Sequence, residues 1–306
     1  MEVTQTKPKK FKTRKYKKEE LLTALFFGGP TFIGLLFFYI VPMFQTVFYS
    51  FTEWGMFGGW TFIGLDNYRQ LIRDPQILGA LRNTLTYAII VVPLSMIVSI
   101  TIATLLNNKI KGVSIYRLIY FLPAVTMTAA IGMIWQWIFN SQFGILNHIL
   151  AFFGIDGPAW LTDPNTAMIA LIIVGVWSSI STAIVLYLAG LQGISRSYYE
   201  AAEIDGASSF QKFFKITLPL LTPTIFFNMI TSLIGAMQVF DLIMLMFREN
   251  NPALPSVQSL SMLFYRQAFV FNNRGYGAAI TVVLLILTLI ITVIQFTMQK
   301  KWVHYK

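Results

Sequence analysis

Six stretches of this chain contain no Asp, Glu, Lys or Arg: Leu21–Thr52, Asn83–Leu106, Leu118–Ile155, Pro164–Ser195, Ile216–Phe240 and Gly275–Gln299. A charge near the centre of a bilayer costs roughly 2.5–3.5 kcal/mol on insertion scales, so charge-free windows are what a membrane selects. Each window exceeds the roughly 20 residues a helix needs to cross about 30 Å of hydrocarbon at 1.5 Å per residue. Backbone polar groups in lipid must pair within the protein, and alternating barrel strands are absent, so the windows predict helices. Composition agrees: 56% of the 306 residues are hydrophobic and only 12% are charged. A soluble domain carries about 25% charge and could not cover its surface with so little. Disorder is excluded as well, because 27 Phe, 7 Trp and 13 Tyr must be hidden from water. The fold class is therefore all-α integral membrane, with six transmembrane helices.

The apolar cores fall at about 25–48, 84–106, 118–139, 167–190, 220–246 and 277–298, within one six-span domain of residues 21–299. The third window is too long for one span. Its tail, Phe143–Phe153, predicts a short amphipathic helix at the outer interface. Residues 1–20 are rich in Lys and read as a disordered basic tail; 300–306 form a second short tail. The first apolar run is too long for a signal-peptide core and lacks a small-residue cleavage site, so it reads as an uncleaved span. With the N-terminus inside, cytoplasmic segments hold seventeen of the 23 Lys and Arg and outer loops hold six. This positive-inside bias places both termini in the cytoplasm of a multi-pass cell-membrane protein. The net charge of +10 then reflects topology and does not point to nucleic acid.

Zero Cys excludes disulfides, thiolate metal sites and Cys nucleophiles, and His148 and His304 lack companions at metal-ligand spacing. Pro93, Pro123, Pro219 and Pro223 sit in or beside spans, where each removes a helical hydrogen bond. No G-x-x-x-x-G-K-[ST] phosphate loop and no G-x-G-x-x-G is present. No nucleotide cofactor is expected on this chain, and any ATP-driven step must occur on a partner.

Most loops are short, but residues 191–218 are not. Ser197–Glu200 has capping-box spacing and predicts a helix of about two turns from Tyr198 to Asp205. Gly206 supplies a left-handed stop. Ser208–Gln211 repeats the box and opens a second short helix towards Leu218, with Pro219 where the next span begins. Helices this short need packing to persist. The loop reads either as a well-capped linker on the membrane or as a docking surface with small residues at Ala201, Ala202 and Ala207.

The run Glu200-Ala201-Ala202, Asp205-Gly206-Ala207, Phe210, Ile216, Pro219 resembles the EAA motif of the membrane subunits of ATP-binding-cassette (ABC) importers. The remainder, over roughly residues 25–300, resembles the sugar-permease branch with the maltose and glycerol-phosphate permeases. The stretches concerned are Phe62–Tyr68, Asn83-Thr84, Tyr116-Arg117 with Leu122-Pro123, Trp135–Trp137 and Tyr265–Phe269. Ser195 stands where relatives often have proline, and a capping serine can replace it. The resemblance implies a type I importer transmembrane domain. Its coupling helix, Glu200–Gly206, would sit in a cleft of a separate ABC ATPase dimer that binds ATP and Mg. It further implies a second homologous permease, an extracytoplasmic solute-binding protein and a sugar substrate. ATPase coupling would then fall to Glu200, Ala201, Ala202, Asp205, Gly206, Ala207 and Phe210.

On span five, Thr224, Asn228, Thr231, Gly235 and Gln238 recur at helical spacing within an arc of about 80°. Such a stripe faces either a water-filled path or a neighbouring helix, and the path is the preferred reading. Asp241 follows near the outer end of the span. It could bind sugar hydroxyls, pair with Arg248 or rest among head groups. Most tryptophans read as an interfacial belt, with Trp135 and Trp137 assigned to the pathway as exceptions. Outer loop 248–276 predicts a re-entrant or interfacial helix. With loop 50–82 it would receive the binding protein if the resemblance holds. The leading function is the permease subunit of an ATP-driven carbohydrate importer, not itself an enzyme. The alternatives are a secondary transporter or channel for a small polar solute and a membrane-embedded enzyme, the latter disfavoured by spans almost without titratable groups.

Overall fold

The structure is a computed structural model that describes residues 18–54, 58–108 and 111–304. It divides into two compact units, Met1–Phe48 and Tyr49–Lys306. The expected disordered tail lies mostly outside the described residues; helix is already present from Lys18. In the first unit, Lys18–Leu35 leads through a π turn, Leu36–Ile40, into the helix Val41–Tyr49. Val41 donates its amide to Leu36 five residues back, and the turn precedes Pro42, which has no amide to place.

In the second unit the long apolar helices are Pro75–Leu106, Pro164–Gln192, Ser209–Met237 and Arg274–Gln299. With Leu22–Tyr49 they make, among the described residues, five helices able to cross a membrane by length and composition, or six with one bent pair. Two of them open on Asp-Pro. Asp74 accepts from the Gln76 amide at 2.8 Å and Asp163 from the Asn165 amide at 2.9 Å. Proline in the first turn forfeits an amide that had no helical partner anyway. These caps start the two helices earlier than the expected 84 and 167.

Two expected spans differ from the structure. The third is not one helix over 118–139. Val113–Val125 and Thr128–Ile138 meet at 105°. Pro123 lies in the last turn of the first piece, where it removes a ladder bond, and Thr126 spends its hydroxyl on the Leu122 carbonyl. The fifth does not run over 220–246. It ends at Met237, and a separate helix, Asp241–Met246, follows after a break at Gln238–Phe240. Gln136 from the third-span segment donates to the Leu245 carbonyl and, at 3.4 Å, to that of Met246, satisfying the end of this short helix.

The core is built by the second and fourth spans. Tyr87, Ala88, Val91, Ala167, Ala170, Leu171 and Val174 are buried together. A second cluster joins Ala103, Ile184, Tyr187, Leu191 and Leu221. Small residues let these backbones approach, as in membrane bundles generally. Residues 248–276 fold into short buried helical pieces, Leu254–Val257 and Leu260–Tyr265, followed by a π turn. Asn83 holds this segment through the carbonyls of Pro255 and Gln258 at 2.9 and 3.1 Å, and Thr84 accepts from the Leu260 amide at 3.0 Å. A two-stranded antiparallel ribbon, Thr52–Trp54 with Trp60–Phe62, is a small addition to the all-α expectation. The short helix expected over Phe143–Phe153 is present as Ile145–Phe152.

At the centre of the core the Tyr87 phenol occupies the space a side chain at Gly175 would need. Gly175→Ala should therefore overpack the joint and destabilise the bundle by about 1–3 kcal/mol. Thermal melting in detergent checks this. Adding Tyr87→Phe, which removes the colliding hydroxyl, should restore part of the loss.

Candidate functional site

Two features stand at opposite ends of the fifth span. At its N-terminal end lies the loop after the fourth. The helix there is Arg196–Ile204, which begins before the expected start at Tyr198. The expected box between Ser197 and Glu200 does not form. Ser197 shares a hydrogen bond with Ser195 at 2.8 Å, and Glu200 turns to Arg196, whose Nε lies 3.3 Å away. Ser195 is the N-cap residue, but its side chain makes no capping bond.

The other end of this helix is closed as the sequence suggests. Gly206 has φ of +73°. The Ala207 amide donates to the Ala202 carbonyl at 2.9 Å and the Gly206 amide to that of Glu203 at 3.1 Å. This is the Schellman arrangement, and a left-handed residue makes it possible. Ser208 and Gln211 then form a reciprocal box, with bonds of 2.8 and 3.3 Å. The helix opened by this box is not the separate second helix expected. Ser209–Lys212 passes through a π turn, Phe213–Thr217, directly into Leu218–Met237, so the rod Ser209–Met237 is helical throughout.

Two side-chain ties fasten the Arg196–Ile204 helix to that rod. The hydroxyls of Tyr199 and Thr217 lie 3.0 Å apart, and Lys212 donates to Glu203 at 2.8 Å. Lys212 holds the Glu203 carboxyl below the usual carboxylate range, first through this hydrogen bond and then through its charge, with a smaller contribution from Arg196. The rest of the helix faces outward. Glu200, Ala201, Asp205 and Gly206 are exposed, Ala202 and Ala207 are half-buried, Ile204 is 87% exposed and Phe210 73%.

At the far end of the rod is a cavity of about 440 Å³. All five pathway candidates of this region, Asn228, Thr231, Gly235, Gln238 and Asp241, line it. Asn228 is buried and donates to the Tyr187 hydroxyl at 2.8 Å, which fixes its side chain against the fourth span. Nothing lies within 4 Å of where a Cβ on Gly235 would stand. Thr224, the first member of the stripe, packs beside Gly190 instead and does not line the cavity. Asp241 is exposed and, among the described residues, makes no ion pair; Arg248 is not its partner.

Trp135 and Trp137 do not line the cavity. Trp135 stacks on Phe139 at 5.2 Å and meets Trp177 edge-on at 5.6 Å within the core, and Trp137 is exposed. An aromatic beside a polar residue in the sequence does not reveal which face of its helix is interior. Residues outside the expected set complete the lining: Ser95 from the second span, Ser179 and Thr182 from the fourth, and Thr128 from the bent pair. The signal for the fourth span was present in the run Ser178-Ser179-Ile180-Ser181-Thr182, a density of hydroxyls unusual for a charge-free window.

Comparison with known proteins agrees on one family. The family described as binding-protein-dependent transport system inner membrane component matches residues 95–304. The chain is 36% identical over 298 residues to the probable ABC transporter permease protein YesP of Bacillus subtilis (strain 168), covering 96% of each. It is 36% identical over 276 residues to the multiple sugar-binding transport system permease protein MsmF of Streptococcus mutans, covering 89% of this chain and 93% of that one. In fold it is similar to a chain of a bacterial alginate ABC transporter crystallised with its pentasaccharide-bound periplasmic protein. The TM-score is 0.82 at 23% identity, over 93% of this chain and 95% of the other.

The Glu203–Lys212 tie makes the loop sensitive to acid. A carboxyl whose pKa is lowered by folding contributes stability above its unfolded pKa, and that contribution is lost as pH falls through the folded value. Carboxylate carbon NMR on the labelled protein should show Glu203 titrating below the ordinary glutamate range. Lys212→Met should return it there.

Proposed function

The chain belongs to the family of binding-protein-dependent transport system inner membrane components, and on that premise we propose that it is the permease subunit of an ATP-driven carbohydrate importer. The observation that carries the mechanism is one continuous rod, Ser209–Met237, with an exposed short helix tied to one end and a polar cavity at the other. The Arg196–Ile204 helix is the coupling helix. It is short, closed at its C-terminus by Gly206 and outward-facing, which suits insertion into a cleft on a separate ATPase. Exposed Ile204 and Phe210 supply apolar contact there, and Ala201 lets the partner backbone approach. ATP and Mg²⁺ belong to that partner. Closure of an ATPase dimer pushes the coupling helix. The ties at Thr217 and Lys212 pass the push into the rod, and the cavity changes the side on which it opens. A two-state element of this kind is what links two distant sites.

The sugar reading rests on two supports. MsmF, which the chain resembles over most of its length, is named for multiple sugars. The cavity offers hydroxyls and amides that can both give and accept hydrogen bonds, as sugar hydroxyls require. A second, homologous permease completes the path, and an extracytoplasmic solute-binding protein delivers the sugar. The positive-inside bias supports a cytoplasmic position for the coupling helix and both termini.

The test is reconstitution of the full complex in proteoliposomes, with ATP-driven uptake measured over a panel of labelled neutral oligosaccharides, uronates and sugar phosphates. Gly206→Pro should abolish co-purification of the ATPase and cut uptake at least tenfold, because proline cannot reach a φ of +73°. Gly206→Asn should keep both, since asparagine tolerates the left-handed region. Sugar movement by this chain with no ATPase bound would instead establish a secondary transporter.

A further inference from the structure

The cavity at the end of the rod contains one charged side chain among the described residues, Asp241, and no Lys, Arg or His. The other polar residues on its lining are neutral, among them the hydroxyls of Ser95, Ser179, Thr182 and Thr231 and the amides of Asn228 and Gln238. Asp241 is not cancelled by a neighbour. Arg266, a cation on the adjoining segment, lies 3.8 Å from Glu249, and Arg248 lines a different depression with Asn250 and Asn251.

The geometry points to selection for uncharged carbohydrate, with Asp241 repelling sugars that carry carboxylate, sulfonate or phosphate. This rests on the reading that the cavity lies on the sugar path. Neutral hydroxyls and amides match a polyol in either hydrogen-bonding sense, whereas an ionised carboxylate only accepts. An anion in the cavity would meet a like charge with no guanidinium or ammonium lining to offset it. Specificity of this kind comes from a repulsive element built against the wrong ligand.

The chain contains no Cys, so a single thiol can report the charge of the cavity without a transported substrate. Gly235→Cys places it on the lining, in a position with room for a Cβ. In the assembled complex at low salt, labelling of this chain by cationic methanethiosulfonate ethyltrimethylammonium and by anionic methanethiosulfonate ethylsulfonate is followed by mass. Each rate is divided by that of a free thiol. The cationic reagent should be favoured at least tenfold, Asp241→Asn should bring the ratio near unity, Asp241→Glu should retain it, and added salt should shrink it. A ratio that starts near unity or survives Asp241→Asn overturns the inference. So does a uronate or sugar phosphate as the preferred cargo of the uptake panel. The path reading fails separately, and takes the inference with it, if the Gly235→Cys complex still imports its best sugar at full rate after complete labelling.

Discussion

Unbroken helical backbone from Ser209 to Met237 is the constraint on which the arrangement depends. Prolines at 219 and 223 lie inside it, and each removes one amide from the ladder. A straight α-helix would lose bonds at both places and bend freely. Here the chain first widens into a π turn at Phe213–Thr217, with Leu218 donating to Phe213 five residues back, and then resumes. Thr222 gives its hydroxyl to the Pro219 carbonyl at 2.7 Å and accepts from the His304 amide at 3.0 Å. Trp302 adds an edge contact on Phe226 at 6.0 Å. The rod is thus braced where its own hydrogen bonding is weakest.

The same backbone accounting explains why the rod stops where it does. Past Met237, Gln238 and Phe240 leave the helical region, and the chain restarts at Asp241. Breaks of this kind are tolerated at membrane depth only where protein or a water-filled space satisfies the freed groups. Here protein supplies the partners. Ser259 donates to the Val239 carbonyl at 2.6 Å, Gln136 covers the end of the next helix, and the break itself opens on the cavity. The bent third span contributes in the same way, since Thr128, the first residue of its second piece, is also on the lining. Two interrupted helices therefore create the polar space that uninterrupted apolar spans would have filled.

Much of this was legible in the sequence because membrane helices announce themselves by missing charges and caps announce themselves by chemistry. Gly206 and the Ser208–Gln211 box follow local rules and fold as those rules require, while Asp74-Pro75 and Asp163-Pro164 obey the same rules but are overlooked when hydropathy alone sets the expected starts, which it places later. The stripe from Asn228 to Gln238 was visible because one helix carries most of it. The failures have two causes. The break at Gln238 and the packing of Trp135 against Trp177 involve neighbours distant in sequence, whereas the bend at Thr126–Met127 follows from Pro123 close by, and hydropathy alone registers neither. Ser197 failed as a cap for a nearer reason: Arg196 offered Glu200 a charged partner one turn back, in competition with the backbone amide.

Asp241 stands just past the end of the rod, on the cavity. An acid set between long apolar runs costs stability, roughly 2.5–3.5 kcal/mol at the centre of a span and less towards its end. Structural use would be recognised by a partner that recovers this cost, as Asp74 recovers its own by accepting from the Tyr276 hydroxyl at 2.7 Å and from the Gln76 amide. Asp241 has no ion pair among the described residues and faces the cavity. Its carboxylate therefore remains available to whatever enters, at the point where the rod ends and the cavity begins.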